Sequence, residues 1–217
     1  MRPLANRTEA GRALGAALAS YRQRGDLLVL ALPRGGVPVA CEIARALDAP
    51  LDILVVRKLG TPGQEELAMG AIASGGLRVL NHDVIRARDI GEWVIENAVA
   101  REQRELERRE SAYRGDRPRP PVEGKCVIVV DDGLATGATM RAAVAALRLQ
   151  KPARIVVAVP VAPAETVRML QAEADEVVCL KTPEEFWAIG QWYVDFPQVS
   201  DEEVRGLLAA AWARERA

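Results

Sequence analysis

Long apolar runs are missing from this sequence, and so are most of the residues that build metal sites. No stretch approaches the roughly 18 consecutive apolar residues of a bilayer-spanning helix, and the opening MRPLANRTEAGRALG is polar where an export signal would be apolar. A soluble, cytoplasmic chain that does not engage a membrane is expected. There is one histidine, His82 in LNHDVIR, which reads as a surface or capping residue. The three cysteines, Cys41, Cys126 and Cys179, lie far apart in apolar stretches without CxxC spacing. With no histidine cluster to complete a zinc site, they read as small hydrophobes. Neither sign of charge prevails: 29 basic and 30 acidic side chains leave a formal net charge of -1, which provides no global field to recruit nucleic acid. Internal repeats and low-complexity segments are absent.

What remains is a globular composition, 49% apolar and 27% charged, in 217 residues. That is the size of one large domain with a single core and a smaller appendage. Five short runs rich in β-branched residues stand out: Leu27 to Leu32, Leu51 to Val56, Cys126 to Val130, Ile155 to Val159 and Glu176 to Leu180. Continuous apolarity suits strands covered on both faces. Between them lie helical stripes, Leu14, Ala17, Leu18 and Tyr21 in one, and Met140, Val144 and Leu147 in another. Alternation of strand and helix predicts an α/β fold with a mostly parallel five-stranded sheet.

The second and third strands are separated by a long insertion. Leu67 to Ala73 and Leu77 to Leu80, joined around Gly75 and Gly76, predict a hairpin, and a helix is expected from about Gly91 to Arg114. In that helix Glu105 precedes Arg109 by four residues and Glu110 precedes Arg114, the favourable order for helix ion pairs, which reads as a solvated face. RPRPP, Arg117 to Pro121, breaks it. Ser200 and Glu203 form a capping box for a last helix over 200–214 carrying Val204, Leu207, Leu208, Ala211 and Trp212. This divides the chain into a core of about 25–180, flanking segments at the N-terminus and over about 181–199, and a C-terminal helix.

The densest chemistry lies in VVDDGLATGAT, Val129 to Thr139. A buried strand runs into Asp131 and Asp132, then a glycine loop, then a helix starting near Ala138. Free backbone amides at a helix start make an anion site, and glycines let the backbone approach a phosphate. Thr136 and Thr139 add hydroxyl donors. Two carboxylates beside such a site would repel a bare phosphate. A phosphorylated ribose resolves the conflict, because its 2′ and 3′ hydroxyls donate to carboxylates while its 5′-phosphate enters the loop. The plainer alternative, a capping aspartate and a turn aspartate, accounts for one acid but not for both together with the glycine and threonine spacing.

VVDDGLATGAT resembles the 5-phosphoribosyl diphosphate (PRPP) signature of type I phosphoribosyltransferases, and the strands across roughly Leu27 to Leu180 resemble their core. The resemblance implies that Asp131 and Asp132 hold the ribose diol and that Leu134, Ala135, Thr136, Gly137, Ala138 and Thr139 cradle the 5′-phosphate. LPRGGVP after the first strand, which alone reads as an ordinary turn, becomes the diphosphate turn through Arg34, Gly35 and Gly36. In the family a non-proline cis peptide is usual there, so the bonds around Arg34 are candidates. Arg57 and Lys58, followed by Gly60, Pro62 and Gly63, resemble the base of a mobile catalytic loop.

The reaction so implied displaces diphosphate from C1 of the ribose by a ring nitrogen of a small heterocyclic base. Mg²⁺ arrives on the substrate's oxygens, since no dedicated cage is present, with Asp131 and Asp132 as the carboxylates within reach. Ala135 stands where 6-oxopurine enzymes carry an aspartate, and Ala138 where they often carry lysine, so DDGLATG is closer to the adenine enzymes. Glu65 or Glu66 is a candidate proton acceptor. The resemblance also implies a variable hood that selects the base, for which the N-terminal segment and about 181–199 are the candidates. Aromatics are scarce, 4% of residues, yet Phe186, Trp187, Trp192, Tyr193 and Phe196 cluster there in Thr182 to Pro197. Two readings stand open for them, a stacking platform for a base and the hood's own small core. Relatives are commonly homodimers, with the Gly91 to Arg114 helix a candidate surface. Two alternatives to an enzyme are a PRPP- or nucleotide-sensing regulator with little catalysis, consistent with Ala135 and the Arg-rich stretch Arg101 to Arg119, and an interaction module with a dead site.

Overall fold

The computed structural model describes residues 2–215, except for the side chain of Glu66. Helix α1 (Arg7–Ala17) is capped by Asn6, whose side chain accepts from the Glu9 amide at 2.9 Å. There follow β1 (Leu27–Ala31), α2 (Gly36–Leu47), β2 (Leu51–Ile53), β3 (Val56–Thr61), β4 (Gln64–Ala73), β5 (Leu77–Leu80), α3 (His82–Ala87) and α4 (Glu92–Arg114). The chain then alternates through β6 (Cys126–Val130), α5 (Ala138–Leu149), β7 (Arg154–Val161), α6 (Ala164–Gln171) and β8 (Glu176–Lys181), and closes with α7 (Asp201–Arg214).

Five strands form a parallel sheet in the order β2-β1-β6-β7-β8. Alternate residues of each strand point to opposite faces, and the two faces are both covered. Leu27, Val29, Ala31, Ile128 and Val130 pack with α1, α2 and α7, while Leu28, Leu30, Val127 and Val129 pack with α5. That double cover explains why the strands lack polar alternation. The α/β class, the five-stranded parallel sheet, the hairpin insertion and the long helix are all as the sequence predicts. Among the described residues, no helix is long and apolar enough to cross a membrane.

From β1 the chain travels outward to β2, and from β6 it travels the other way to β7 and β8. The direction of winding therefore reverses between β1 and β6, the topological switch point at which open α/β sheets leave a crevice. Ala31 lies level with Val130 in the parallel register, so the residues that follow β1 and β6 emerge side by side.

Three expectations need correction. The apolar run Leu51 to Val56 is not one strand: β2 ends at Ile53, and Val55 donates to the Ser74 hydroxyl at 2.9 Å as the chain crosses into a second sheet, β3-β4-β5. Arg57 and Lys58 consequently sit within antiparallel β3, and Pro62 and Gly63 form the turn of a β3–β4 hairpin in which Thr61 pairs with Gln64. Finally, α4 is not a solvated face at its C-terminal end. Glu110 and Arg114 are buried, and Arg114 bonds Asp52 of β2 at 2.9 Å. Elsewhere on that helix Glu105 and Arg109 pair at 2.7 Å as predicted. His82 is exposed and opens α3, with Asn81 rather than His82 as its cap. Cys41 and Cys126 are buried, and Cys179 is half-buried.

Candidate functional site

Two turns meet at the switch point. Leu32, leaving β1, donates to the carbonyl of Val130 at 2.9 Å. The peptide between Pro33 and Arg34 is cis, within the pair of bonds the family resemblance singles out. Gly35 then passes so close to the end of β6 that a Cβ there would overlap the Asp132 carboxylate. The glycine turn and the acidic loop, predicted separately, are thus one packed unit.

The two acids have different surroundings. Asp131 stays partly accessible, and its carboxylate accepts the Asp132 amide at 2.9 Å. Asp132 is 8% exposed, and its Oδ2 accepts from Arg7 Nε at 2.8 Å. The sequence reading has both acids open to a sugar; here one of them already holds an internal partner. Burial pushes the Asp131 carboxyl well above the usual carboxylate range, and the neighbouring Asp132 charge adds to the rise. Burial also raises Asp132, against the opposing pull of Arg7. For both acids the first cause is burial, which removes water faster than the nearby cation replaces it, and for Asp131 the like charge beside it adds to the rise.

Beyond the acids the loop is pinned at both sides, leaving its middle open. The Leu134 amide donates to the Val161 carbonyl at 2.9 Å, and Leu134 is buried. Thr166 of α6 donates its hydroxyl to the Ala135 carbonyl at 2.7 Å. Gly137 turns the chain with φ of 72°, and a Cβ on it would lie 2.7 Å from the Thr166 methyl. Between these fixed points, the amides of Ala135, Thr136 and Gly137 have no acceptor among the described residues. Ala135, Thr136 and Thr139 are exposed, and the start of α5 lies directly behind them. Unpaired amides at a helix start with flanking hydroxyls make an anion cradle.

The expected cations are engaged elsewhere. Arg34 faces Asp201 at 3.6 Å, and the Tyr113 hydroxyl donates to the same carboxylate at 2.7 Å. Arg57 donates through Nε and a terminal nitrogen to one oxygen of Glu102 on α4, at 2.9 and 2.6 Å. Burial works to raise the Glu102 carboxyl, yet hydrogen bonds from Arg101 and Arg57 hold it below the ordinary range. Lys58 is exposed and lines both a 670 Å³ cleft between the hairpin and α4 and a 760 Å³ groove that runs from Ala138 along α5. Glu65 lines the first of these; the Glu66 side chain lies outside the described residues.

The hood aromatics resolve toward a core. Tyr193 is buried, stacks on Phe196 with centroids 4.7 Å apart, and packs with Leu4, Ala10 and Val161. Its hydroxyl donates to the Asp132 carbonyl at 2.6 Å. Trp192, Ile189 and Phe186 pack against the same cluster, whereas Trp187 is 85% exposed. Sequence reasoning missed Arg7 and Thr166. Arg7 leaves a faint signal: a cation in the first turn of a helix opposes the helix dipole and calls for a carboxylate elsewhere. Thr166, one hydroxyl in a short helix, leaves none.

Two Mycobacterium tuberculosis proteins, from strains CDC 1551 / Oshkosh and ATCC 25618 / H37Rv, are each 47% identical to this chain over 206 residues. Their names give phosphoribosyl transferase as a provisional assignment. The matches cover 95% of this chain and 46% of either relative, so the chain spans less than half of their length. The crystal structure of TT1426 from Thermus thermophilus superposes with a TM-score of 0.88 at 44% identity, covering 97% of this chain and 99% of that one. The family described as phosphoribosyl transferase domain matches residues 6–197, a span that takes in Arg7, both turns of the switch point and the hood, and the chain belongs to that family.

Proposed function

We propose that the chain transfers 5-phosphoribose from PRPP to a ring nitrogen of a nucleobase or related heterocycle, with release of diphosphate. The observation that carries this reading is the acidic pair lying beside three unpaired amides at the sheet's switch point. In it, Asp131 and Asp132 accept from the ribose hydroxyls, and the loop from Leu134 to Thr139 takes the 5′-phosphate. Arg34, Gly35 and Gly36 hold the diphosphate, and Arg57 and Lys58 compensate its charge as the C1–oxygen bond breaks. Positioning and electrostatic compensation supply most of the rate, because the ribosyl cation that develops needs little covalent help. Residues of about 25–180 form the catalytic core, and the N-terminal segment with about 181–199 forms the hood that selects the base. Such a reaction belongs to nucleotide metabolism in the cytoplasm.

Among the described residues, no group of three or more His, Cys, Asp or Glu is arranged to hold a metal by itself. The oxygen donors at hand, two carboxylates and a substrate diphosphate, suit Mg²⁺, which would ride on the substrate near Asp131 and Asp132. When bound it neutralises charge on the leaving diphosphate.

A second reading, a PRPP or nucleotide sensor with little catalysis, is favoured by one observation: Arg57 is committed to Glu102. Titration calorimetry with Mg²⁺·PRPP and a diphosphate-release assay across a panel of bases separate the two. Binding with turnover on one base, lost in Asp131→Asn/Asp132→Asn, is the outcome expected of the transferase. Binding without turnover on any base supports the sensor, and no binding at all refutes both.

A further inference from the structure

Arg7 is the least expected residue at the site. It is the first residue of α1 in a chain segment far from the loop it touches, and its side chain is nine-tenths buried. Burying a guanidinium is costly unless each of its faces is satisfied. Here Nε donates to Asp132 Oδ2 at 2.8 Å, a terminal nitrogen donates to the Pro197 carbonyl at 2.7 Å, and the flat face lies 3.8 Å from the Phe196 ring centroid. One cation therefore clamps the acidic loop to the hood.

The backbone is arranged to aim it. A Cβ on Gly11 would lie 2.6 Å from the Val39 carbonyl and 2.8 Å from the Glu42 Cβ, so α1 can approach α2 this closely only with glycine there. Because α2 begins at the diphosphate turn, the close crossing brings the start of α1 to the same sheet edge. Tyr193, which bonds the Asp132 carbonyl, fixes the other side of the same residue.

Resting on the transferase or sensor reading of the acidic pair, we infer that Arg7 is a positioning residue for ribose recognition: by taking Oδ2 of Asp132 it orients that carboxylate so that its other oxygen, with Asp131, meets the sugar hydroxyls. Arg7 does not touch the ligand. Its effect is confined to the sugar diol and leaves the phosphate cradle of Ala135 to Thr139 unaltered.

That confinement makes the test specific. Affinities for ribose 5-phosphate and 2-deoxyribose 5-phosphate are measured by calorimetry on the wild-type chain, Arg7→Gln and Arg7→Lys, with circular dichroism to verify folding. The wild type should prefer the ribose ligand by about tenfold or more, as expected for a hydrogen bond to a charged group. In Arg7→Gln the preference should collapse toward unity while binding of the deoxy ligand changes little, and Arg7→Lys should fall between. A purely structural role for Arg7 would weaken both ligands alike, and that result, or an unchanged preference in Arg7→Gln, overturns the inference. Should Arg7→Gln fail to fold, the comparison is read on Arg7→Lys, in which one ammonium replaces the two separate nitrogens that reach Asp132 and the Pro197 carbonyl; an unchanged preference there overturns it equally. If the wild type binds neither sugar phosphate nor Mg²⁺·PRPP, the assignment of the acidic pair itself fails, a result distinct from any change confined to Arg7.

Discussion

The surroundings of Asp131 disfavour a negative charge on it. Its folded carboxyl is raised by burial and by the Asp132 charge, so the native state binds that proton more tightly than the unfolded chain does. Such a group stabilises the fold fully below the ordinary carboxylate range of about 4, and that contribution is lost as pH rises through the raised folded value. Above the ordinary carboxylate range Asp131 therefore contributes progressively less to stability as pH rises. Asp131→Asn is expected to melt several degrees higher than the wild type at pH 7.5, with the gain vanishing near pH 4, while binding of Mg²⁺·PRPP is lost. Thermal melts at the two pH values test this; an Asn variant that melts no higher at neutral pH would show that the charge is not strained. What makes this residue a candidate for the proposed ligand site is legible in DDGLATG, because strand, acids and glycine loop are contiguous. Its division of labour with Asp132 is not, because the guanidinium that separates the two lies 125 residues away.

Helix α4 carries an ion network that is built into the body of the protein. Arg114 donates to Asp52 and Glu110 at 2.9 Å each and to the Ile53 carbonyl at 3.1 Å, and Arg119 also reaches Glu110. Burial works to raise the Glu110 carboxyl, but hydrogen bonds from Arg119 and Arg114 hold it below the ordinary range. A depressed carboxyl contributes stability that is present above its unfolded value and lost as pH falls through the folded one. Glu110→Gln removes one of the two buried negative charges that face Arg114 while Asp52 stays, so it should cost stability, but less than the loss of a sole buried partner. Urea unfolding at pH 7 should show that loss, and at pH 3 the gap to the wild type should narrow. An equal gap at both pH values would mean that the Glu110 charge is not what the network uses. From sequence, the i,i+4 spacing of Glu110 and Arg114 was readable but their burial was not. Periodicity places residues on a face of a helix; what covers that face depends on β2 and on the chain after the prolines.

At the scale of the whole molecule, the segment before α1 is tied to the segment at 192–195. The Leu4 amide donates to the Trp192 carbonyl at 2.8 Å, Val194 donates back to Leu4 at 2.8 Å, and Asp195 donates to Ala5 at 2.9 Å. With Leu4, Ala10, Val161 and Tyr193 these bonds make a small core separate from the two that sandwich the sheet. A separate core of so few residues should open locally before the sheet does. Leu4→Ser is expected to speed hydrogen exchange of the amides at 192–195 by about tenfold or more while those of β6 and β7 keep their protection. Mass spectrometry of peptic peptides reads this directly, and acceleration spread evenly over the sheet would show that the hood and core open as one.

The amino-acid sequence by itself determined the parallel sheet, the hairpin insertion, the long helix and the two glycine turns, since each rests on short-range signals: strand apolarity, helix period, proline breaks and contiguous loop chemistry. Only the tertiary structure decided that Asp132 belongs to Arg7, that Arg57 belongs to Glu102 and that the hood aromatics chiefly pack on one another. Those partners are separated by 125 and 45 residues in the first two cases. Charges and rings that meet across such distances do so because packed elements bring them together, and no local pattern records it.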